Sequence, residues 1–503
     1  MTLTLGILSA YLLLVISIGL ASHRLFRGTG EDFFLATRTI GPFILLMSLF
    51  GTHMTAFSLL GASAEAHRRG ILVFGLMASS SALMVPLVFL FVGTRLWAVG
   101  KRLGFQTQVQ FFVRRYGSPT LGLLLFVLLV GFLIPYLLIG ILGGGVAIRQ
   151  ISGGAIPSWV GGLVITGVVA LYVSYGGLRG TSWVNTFQTL VFMTLGGVAS
   201  VLIVKDLGGL SAALATVAET APQLLIRGEA LSPWTLLTYT FVPLSVGMFP
   251  HIFQHWLSAK SSSSFKLPVI AYPLCVAAVW IPSVLVGVIA AGDLPGLTGP
   301  ETSGVLVAMI GRHAPAALAG LLTAGVFAAI MSSLDSQVLS LSTLFTQDVV
   351  GRRFPGLTER RQVLLGRGFV FGLLLVTYLI SLVTPPTIFR LGVWCFSGYA
   401  ALLPVVVAAL YWRQSTATGA LAAVITVAVT WVLLFLRGGS VAGYTVGGTG
   451  VMPVAVMFAA SAVAMVVGSL LSAPPPKEQV DSFFPNPSRV AEAEASRFEG
   501  GRG

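Results

Sequence analysis

The chain has 503 residues, 55% of them hydrophobic and only 9% charged, with a formal net charge of +13. A soluble globular chain carries about 25% charged residues, and at this length it would divide into domains that each keep a charged surface. The composition therefore excludes an ordinary soluble protein and makes lipid the solvent; no Lys/Arg cluster with interleaved aromatics marks a nucleic-acid partner.

Thirteen apolar segments are long enough to cross a bilayer as helices. They lie near 3–22, 42–62, 71–98, 119–149, 157–176, 183–204, 235–257, 268–291, 315–349, 364–383, 388–412, 416–436 and 451–471. Barrel strands would be about ten residues of alternating polarity, so the fold class is an all-α integral membrane protein. The 59 glycines fit close helix packing in lipid. Cys275 and Cys395 sit in apolar runs and read as small buried side chains, not a disulfide or metal site.

The first segment is not a cleaved signal, because its basic residues His23, Arg24 and Arg27 follow it. Loop charge sets the orientation. The predicted inner side holds 21 of the 29 Lys/Arg and the outer side 8, which places the N-terminus outside and the C-terminus in the cytoplasm of a cell-membrane protein. The outer loop at 205–232 has room for a short surface helix. Residues 473–503 open with Ala-Pro-Pro-Pro-Lys, turn polar and read as a disordered cytoplasmic tail.

Two spans look broken. The second carries Gly51-Thr52-His53-Met54-Thr55 through its middle, and the seventh carries Gly247 and Pro250-His251. Paired interruptions at corresponding places point to the binding site of an inverted-repeat transporter; the plainer alternative is two kinked helices. The division that follows is an extra span and inner loop at 1–39 and a core at 40–413, with repeats of about 40–204 and 235–413. Two extra spans at 414–472 precede the tail.

The ninth segment is the most specific. Ala329, Ser332, Ser333 and Ser336 share one helical face. Asp335 is an acid well inside a span, where a charge costs roughly 2.5–3.5 kcal/mol on insertion scales. It must face protein, water or a cation. Hydroxyls beside freed backbone carbonyls suit a small hard cation; serines bonding back to their own helix are the plainer reading.

These stretches resemble the sodium:solute symporter family. The resemblance rests on five pieces in order: Asp32-Phe33-Phe34-Leu35-Ala36-Thr37-Arg38; Gly104-Phe105-Gln106-Thr107 through Arg114-Arg115-Tyr116-Gly117-Ser118; Tyr175-Gly176-Gly177-Leu178-Arg179-Gly180; Pro250-His251-Ile252 with Ser258-Ala259-Lys260-Ser261; and the Ser332-Ser333 run with Asp335-Ser336-Gln337. It implies a LeuT-like core of ten helices in two inverted five-helix repeats, with one extra N-terminal and two extra C-terminal helices. It also implies Na+ held by the carbonyls of Gly51, Met54 and Ala329 and the hydroxyls of Ser332 and Ser333. The partners it implies are Na+, a small organic solute and the lipid bilayer.

The solute is expected beside the two breaks, among His53, Thr55, Phe57, Tyr136, Phe249, His251, Gln254, Trp394 and Phe396. His53 departs from the family, which commonly has Asp or Asn there. Val242 and Val246 stand where the proline branch has aromatics, which disfavours proline. The function implied is sodium-coupled uptake by alternating access. Proton coupling through His53 or Asp335 and a solute sensor are the alternatives. A membrane-embedded enzyme is the least supported, since no His-Glu-x-x-His, Gly-x-Ser-x-Gly or paired-carboxylate motif occurs.

Overall fold

The computed structural model describes residues 2–22, 38–226, 232–354, 356–384, 388–441 and 443–484, less the side chains of residues 175–177, 179, 300 and 359. The first of the five family-like stretches therefore lies outside the described residues except for Arg38.

Backbone polar groups in lipid must be satisfied within the segment, and the long apolar runs accordingly wind into helices. In chain order these are α1 (Thr2–Ser22), α2 (Pro42–His53), α3 (Phe57–Arg69), α4 (Phe74–Leu103), α5 (Gln108–Tyr116), α6 (Pro119–Ile151) and α7 (Ser158–Asp206). The chain continues through α8 (Leu210–Thr220), α9 (Pro233–Gly247), α10 (Pro250–Ser258), α11 (Ser262–Asp293), α12 (Val305–His313) and α13 (Ala316–Arg353). It ends with α14 (Glu359–Ser381), α15 (Ile388–Tyr411), α16 (Ala417–Gly438), α17 (Pro453–Leu470) and α18 (Lys477–Phe483). The surface helix expected between 205 and 232 is α8.

Among the described residues, ten helices are long and apolar enough to cross, and the two bent pairs raise the number to twelve. The expected span at 157–176 lies within α7, whose described apolar part there is Ser158–Ser174. The connection expected between 176 and 183 stays helical and joins both expected segments into α7.

Both breaks occur in the expected stretches, the first just past Gly51 at Met54–Thr55 and the second just before Pro250. α2 and α3 meet at 58°, and α9 and α10 at 53°. Met54 is extended (φ −83°, ψ 104°), which takes its carbonyl out of the helical ladder. The Ile40 carbonyl just before α2 accepts from Lys260 N at 2.9 Å, and Ile40 N donates to Ser258 O at 3.2 Å. The start of one broken span is thus tied to the end of the other, so the two run antiparallel with their breaks opposed.

α13 is the central post. Every residue from Leu322 to Leu344 is buried, and the helix packs against α1, α2, α6, α7 and α10. Large apolar side chains elsewhere point outward, as at Leu13, Ile270, Leu274 and Leu436, the arrangement lipid permits. Glycine lets the helices close up: a Cβ on Gly51 would collide with Thr189 of α7, and one on Gly287 with the Ser63 carbonyl.

The loop between α4 and α6 is a capped unit. Thr107 accepts from Gln110 N to start α5, and Ser118 accepts from Leu121 N to start α6. Arg115 is fully buried and donates to Ala409 O, Trp412 O, Arg413 O and Ser415 Oγ, stapling α5 to the end of α15. Burial pushes the neighbouring Tyr116 phenol up to about 12.

The segment after 473 departs from the expectation of a disordered tail. α18 docks on this loop: Phe483 packs on Phe105 and Phe111, and Arg102 donates to Ser482 O and Phe483 O. Local polarity concealed an aromatic anchor that only the tertiary surface receives. Residues 485–503 of the expected tail lie outside the described residues.

Candidate functional site

The candidate cation ligands converge from two helices. Ser332 Oγ of α13 donates to Gly51 O at 2.9 Å and to Ala329 O at 3.2 Å. Three of the five expected oxygens therefore meet at the break in α2, where Gly51 allows α2 to press on α7. Ser333 Oγ donates to Ile330 O of its own helix at 3.0 Å, the back-bonding alternative. All five residues are buried. The oxygens are uncharged and hard, the donor set that fits an alkali cation and not a soft metal.

One turn further along α13, Asp335 is fully buried. Tyr172 donates to its Oδ2 at 3.0 Å and Ser336 to its Oδ1 at 3.2 Å. Asn185 of α7 donates to Ser336 at 2.7 Å, and its own amide oxygen has no partner among the described residues. A carboxylate in this setting holds its hydrogen bonds far from water, so a nearby positive charge changes its energy strongly.

On the other side of the break lies an aromatic cluster. Phe249 stacks on His251 at 5.1 Å and lies 5.4 Å from Tyr136, 5.5 Å from Phe396 and 6.2 Å from His53. Phe57 meets Phe396 edge-on at 5.0 Å. Thr55 sits in the break and accepts from Phe57 N at 2.9 Å. His53 Nδ1 pairs with the Tyr272 hydroxyl of α11. Both ring nitrogens of His251 are buried without a protein partner among the described residues, and such groups are costly unless something satisfies them.

Two expected solute contacts lie elsewhere. Gln254 points toward the C-terminal part of α13, where it accepts from Ser340 Oγ at 2.6 Å and donates to Thr343 Oγ1 at 3.0 Å. Trp394 packs with Trp431, Phe435 and Tyr444 away from the cluster. Trp394 sits two residues from Phe396, on a helix face turned away from it, while Gln254 lies one turn beyond His251, nearer the C-terminal end of α10. Tyr272 and Tyr399 were missed. Tyr399 lies 5.0 Å from Phe249 in an apolar run with no local signal, and Tyr272 stands just before Pro273, a residue that does not break α11.

The sodium:solute symporter family model matches residues 33–427. The chain belongs to the sodium:solute symporter family. It is 29% identical over 456 residues to a sodium/pantothenate symporter of Escherichia coli (strain K12), covering 85% of this chain and 89% of that one. It is 25% identical to the high-affinity proline transporter PutP of Bacillus subtilis (strain 168), with 80% and 86% covered. Among solved structures, a substrate-bound, outward-open Na+-coupled sialic acid symporter superposes with a TM-score of 0.78 at 18% identity, covering 94% and 99% of the two chains. The nucleobase-cation-symport-1 transporter Mhp1 follows at 0.58 and 12%, with 90% and 97% covered. At these identities the structures speak to the fold, which is the LeuT-like one. With the family established, the chain is a multi-pass membrane symporter with Na+ as its coupling ion.

Proposed function

We propose that this symporter holds its sodium ion with the carbonyls of Gly51, Met54 and Ala329 and the hydroxyls of Ser332 and Ser333, and takes up a small organic solute in the aromatic cluster beside it. The observation that carries the reading is the Ser332 hydroxyl, which reaches from α13 to the Gly51 carbonyl at the break in α2. The solute contacts are His53, Thr55, Phe57, Tyr136, Phe249, His251 and Phe396, with the His251 ring nitrogens supplying polar recognition.

Coupling follows from the shared break. A cation bound between α2 and α13 ties the two helices together and fixes the residues that carry His53 and Thr55, so sodium and solute favour the same conformation and each raises the affinity for the other. A membrane potential of 100 mV contributes about 2.3 kcal/mol per charge, and a tenfold sodium gradient about 1.4 kcal/mol. For a neutral solute that is enough for several-hundredfold accumulation per sodium. Asp335 is the coupling acid of this reading. The N-terminus lies outside and the C-terminus inside, in keeping with 21 of 29 Lys/Arg on the inner side.

Pantothenate is the first solute to test, given the 29% identical relative; Val242 and Val246 in the broken α9 still argue against proline. Purified protein in liposomes with an inward sodium gradient should accumulate labelled pantothenate or another small solute of a panel. Uptake that runs equally well without sodium, driven by a proton gradient, would overturn the sodium assignment in favour of His53 or Asp335 as a proton carrier.

A further inference from the structure

At the end of the bundle that carries the N-terminus, a cavity of about 160 Å³ opens between α3, α9 and α15, with Gly299, Thr302 and Ser303 on one side and Gly443, Tyr444 and Thr445 on another. Its charged lining is Glu65, Arg68, Arg69 and Arg390. Glu65 is buried, and its single carboxylate serves two guanidinium groups: Arg69 Nε at 2.7 Å and Arg68 Nη1 at 3.1 Å. Three arginines against one acid leave the cavity wall with a formal charge of +2.

The cationic groups are held in place. A Cβ at Gly443, which sits at φ +69°, would collide with the Arg69 guanidinium, so the Gly443 backbone lies directly over that side chain. Arg390, in the first turn of α15, donates to Ser440 O at 2.9 Å. The rest of the wall is aromatic and aliphatic, with Tyr239, Phe389 and Trp394 among its members. A concave, largely apolar pocket with a few convergent charged groups is the general form of a small-molecule site.

The cavity leads inward. Phe389 lines it and stacks on Phe57 at 5.4 Å with the rings 13° apart. The other side of Phe57 meets Phe396 of the central cluster. One aromatic pair therefore separates this vestibule from the solute site.

We infer that the vestibule is the first docking site for the carboxylate of a small organic anion, before the solute passes the Phe57–Phe389 pair. The inference rests on the symporter reading and names the chemical class of its solute. Guanidinium groups match carboxylates in planar, two-point geometry. The low-dielectric aromatic wall strengthens that attraction and keeps salt from screening it fully. A solute with a net positive charge is repelled by the same wall, so the vestibule selects by sign as well as by size.

The test needs neither uptake nor sodium. Val441 is exposed at the cavity rim, and Val441→Cys in the full-length protein gives a thiol there. Its modification rate is measured with a methanethiosulfonate bearing a sulfonate and with one bearing a trimethylammonium group, each referred to a free thiol. The anionic reagent should be favoured by about tenfold, equivalent to 1.4 kcal/mol of differential attraction. Arg390→Gln should lower the ratio, and Glu65→Gln should raise it. Pantothenate, lactate, benzoate and N-acetylneuraminate form the protection panel, each paired with its neutral alcohol or amide. At least one carboxylate should slow modification more than its neutral counterpart. Equal rates for the two reagents, no protection by any member, equal protection by a neutral partner, or equal protection by chloride would each overturn the inference. A protein that passes this test but shows no sodium-driven uptake would refute the symport site, not the vestibule. Sodium-driven uptake confined to neutral solutes would do the reverse.

Discussion

Ser332→Ala isolates the hydroxyl on which the sodium site turns. The side chain is fully buried and reaches Gly51 O at 2.9 Å and Ala329 O at 3.2 Å. A neutral hydrogen bond of this kind contributes about 1 kcal/mol to stability, while a bond from a neutral group to a charge contributes about 1.5–3 kcal/mol. If the hydroxyl oxygen faces a cation in the working protein, its removal should cost roughly the larger amount in ion binding and only the smaller in folding. That is roughly a 10- to 150-fold rise in the sodium concentration for half-maximal uptake, with a modest drop in melting temperature. Thr377→Ala is the control, because Thr377 is equally buried and, among the described residues, its hydroxyl bonds only to Leu373 O within α14; it should share the small stability loss and leave the sodium dependence alone. The assay is solute uptake into liposomes across a sodium titration, with a sodium-dependent thermal shift on the same preparations. A Ser332→Ala protein that folds normally and keeps its sodium dependence within threefold would refute the assignment.

Two other perturbations separate coupling from packing. Asp335→Asn preserves shape but removes the carboxylate that Tyr172 and Ser336 donate to. It should weaken sodium dependence by roughly tenfold or more, as expected for about 1.5–3 kcal/mol of charged hydrogen bonding; an unchanged sodium titration with a lowered melting temperature would make Asp335 a structural residue only. Gly287→Ala drives a Cβ into the Ser63 backbone carbonyl, which cannot rotate away. It should cost about 1–3 kcal/mol of stability as an overpacked contact, read as a fall in melting temperature, and leave the sodium titration of the surviving protein unmoved.

Length and hydropathy alone established a helical membrane protein, because a helix that crosses lipid must satisfy its backbone within one continuous apolar run. The Gly51–Thr55 stretch and Pro250 announced both breaks for a similar reason. Each acts on its own stretch of backbone, so its effect is legible without knowing any neighbour. The Ser332-Ser333 pair was legible too, since helical spacing alone puts it on one face with Ala329. What faces that helix was not. Ser332 turns to Gly51 and Ser333 turns back to Ile330, a difference no spacing encodes. Trp394 and Phe396 are two residues apart and equally aromatic, yet only Phe396 joins Phe249 and Tyr136. Tyr272 reaches His53 from a helix with no interruption to mark it. α18 was concealed in a polar tail because its anchor, Phe483, has meaning only against Phe105 and Phe111. The sequence by itself determined where the chain spans and where it breaks, since both are properties of one segment in lipid. Only the tertiary structure decided which side chains meet, since that depends on how each helix is rotated against its neighbours.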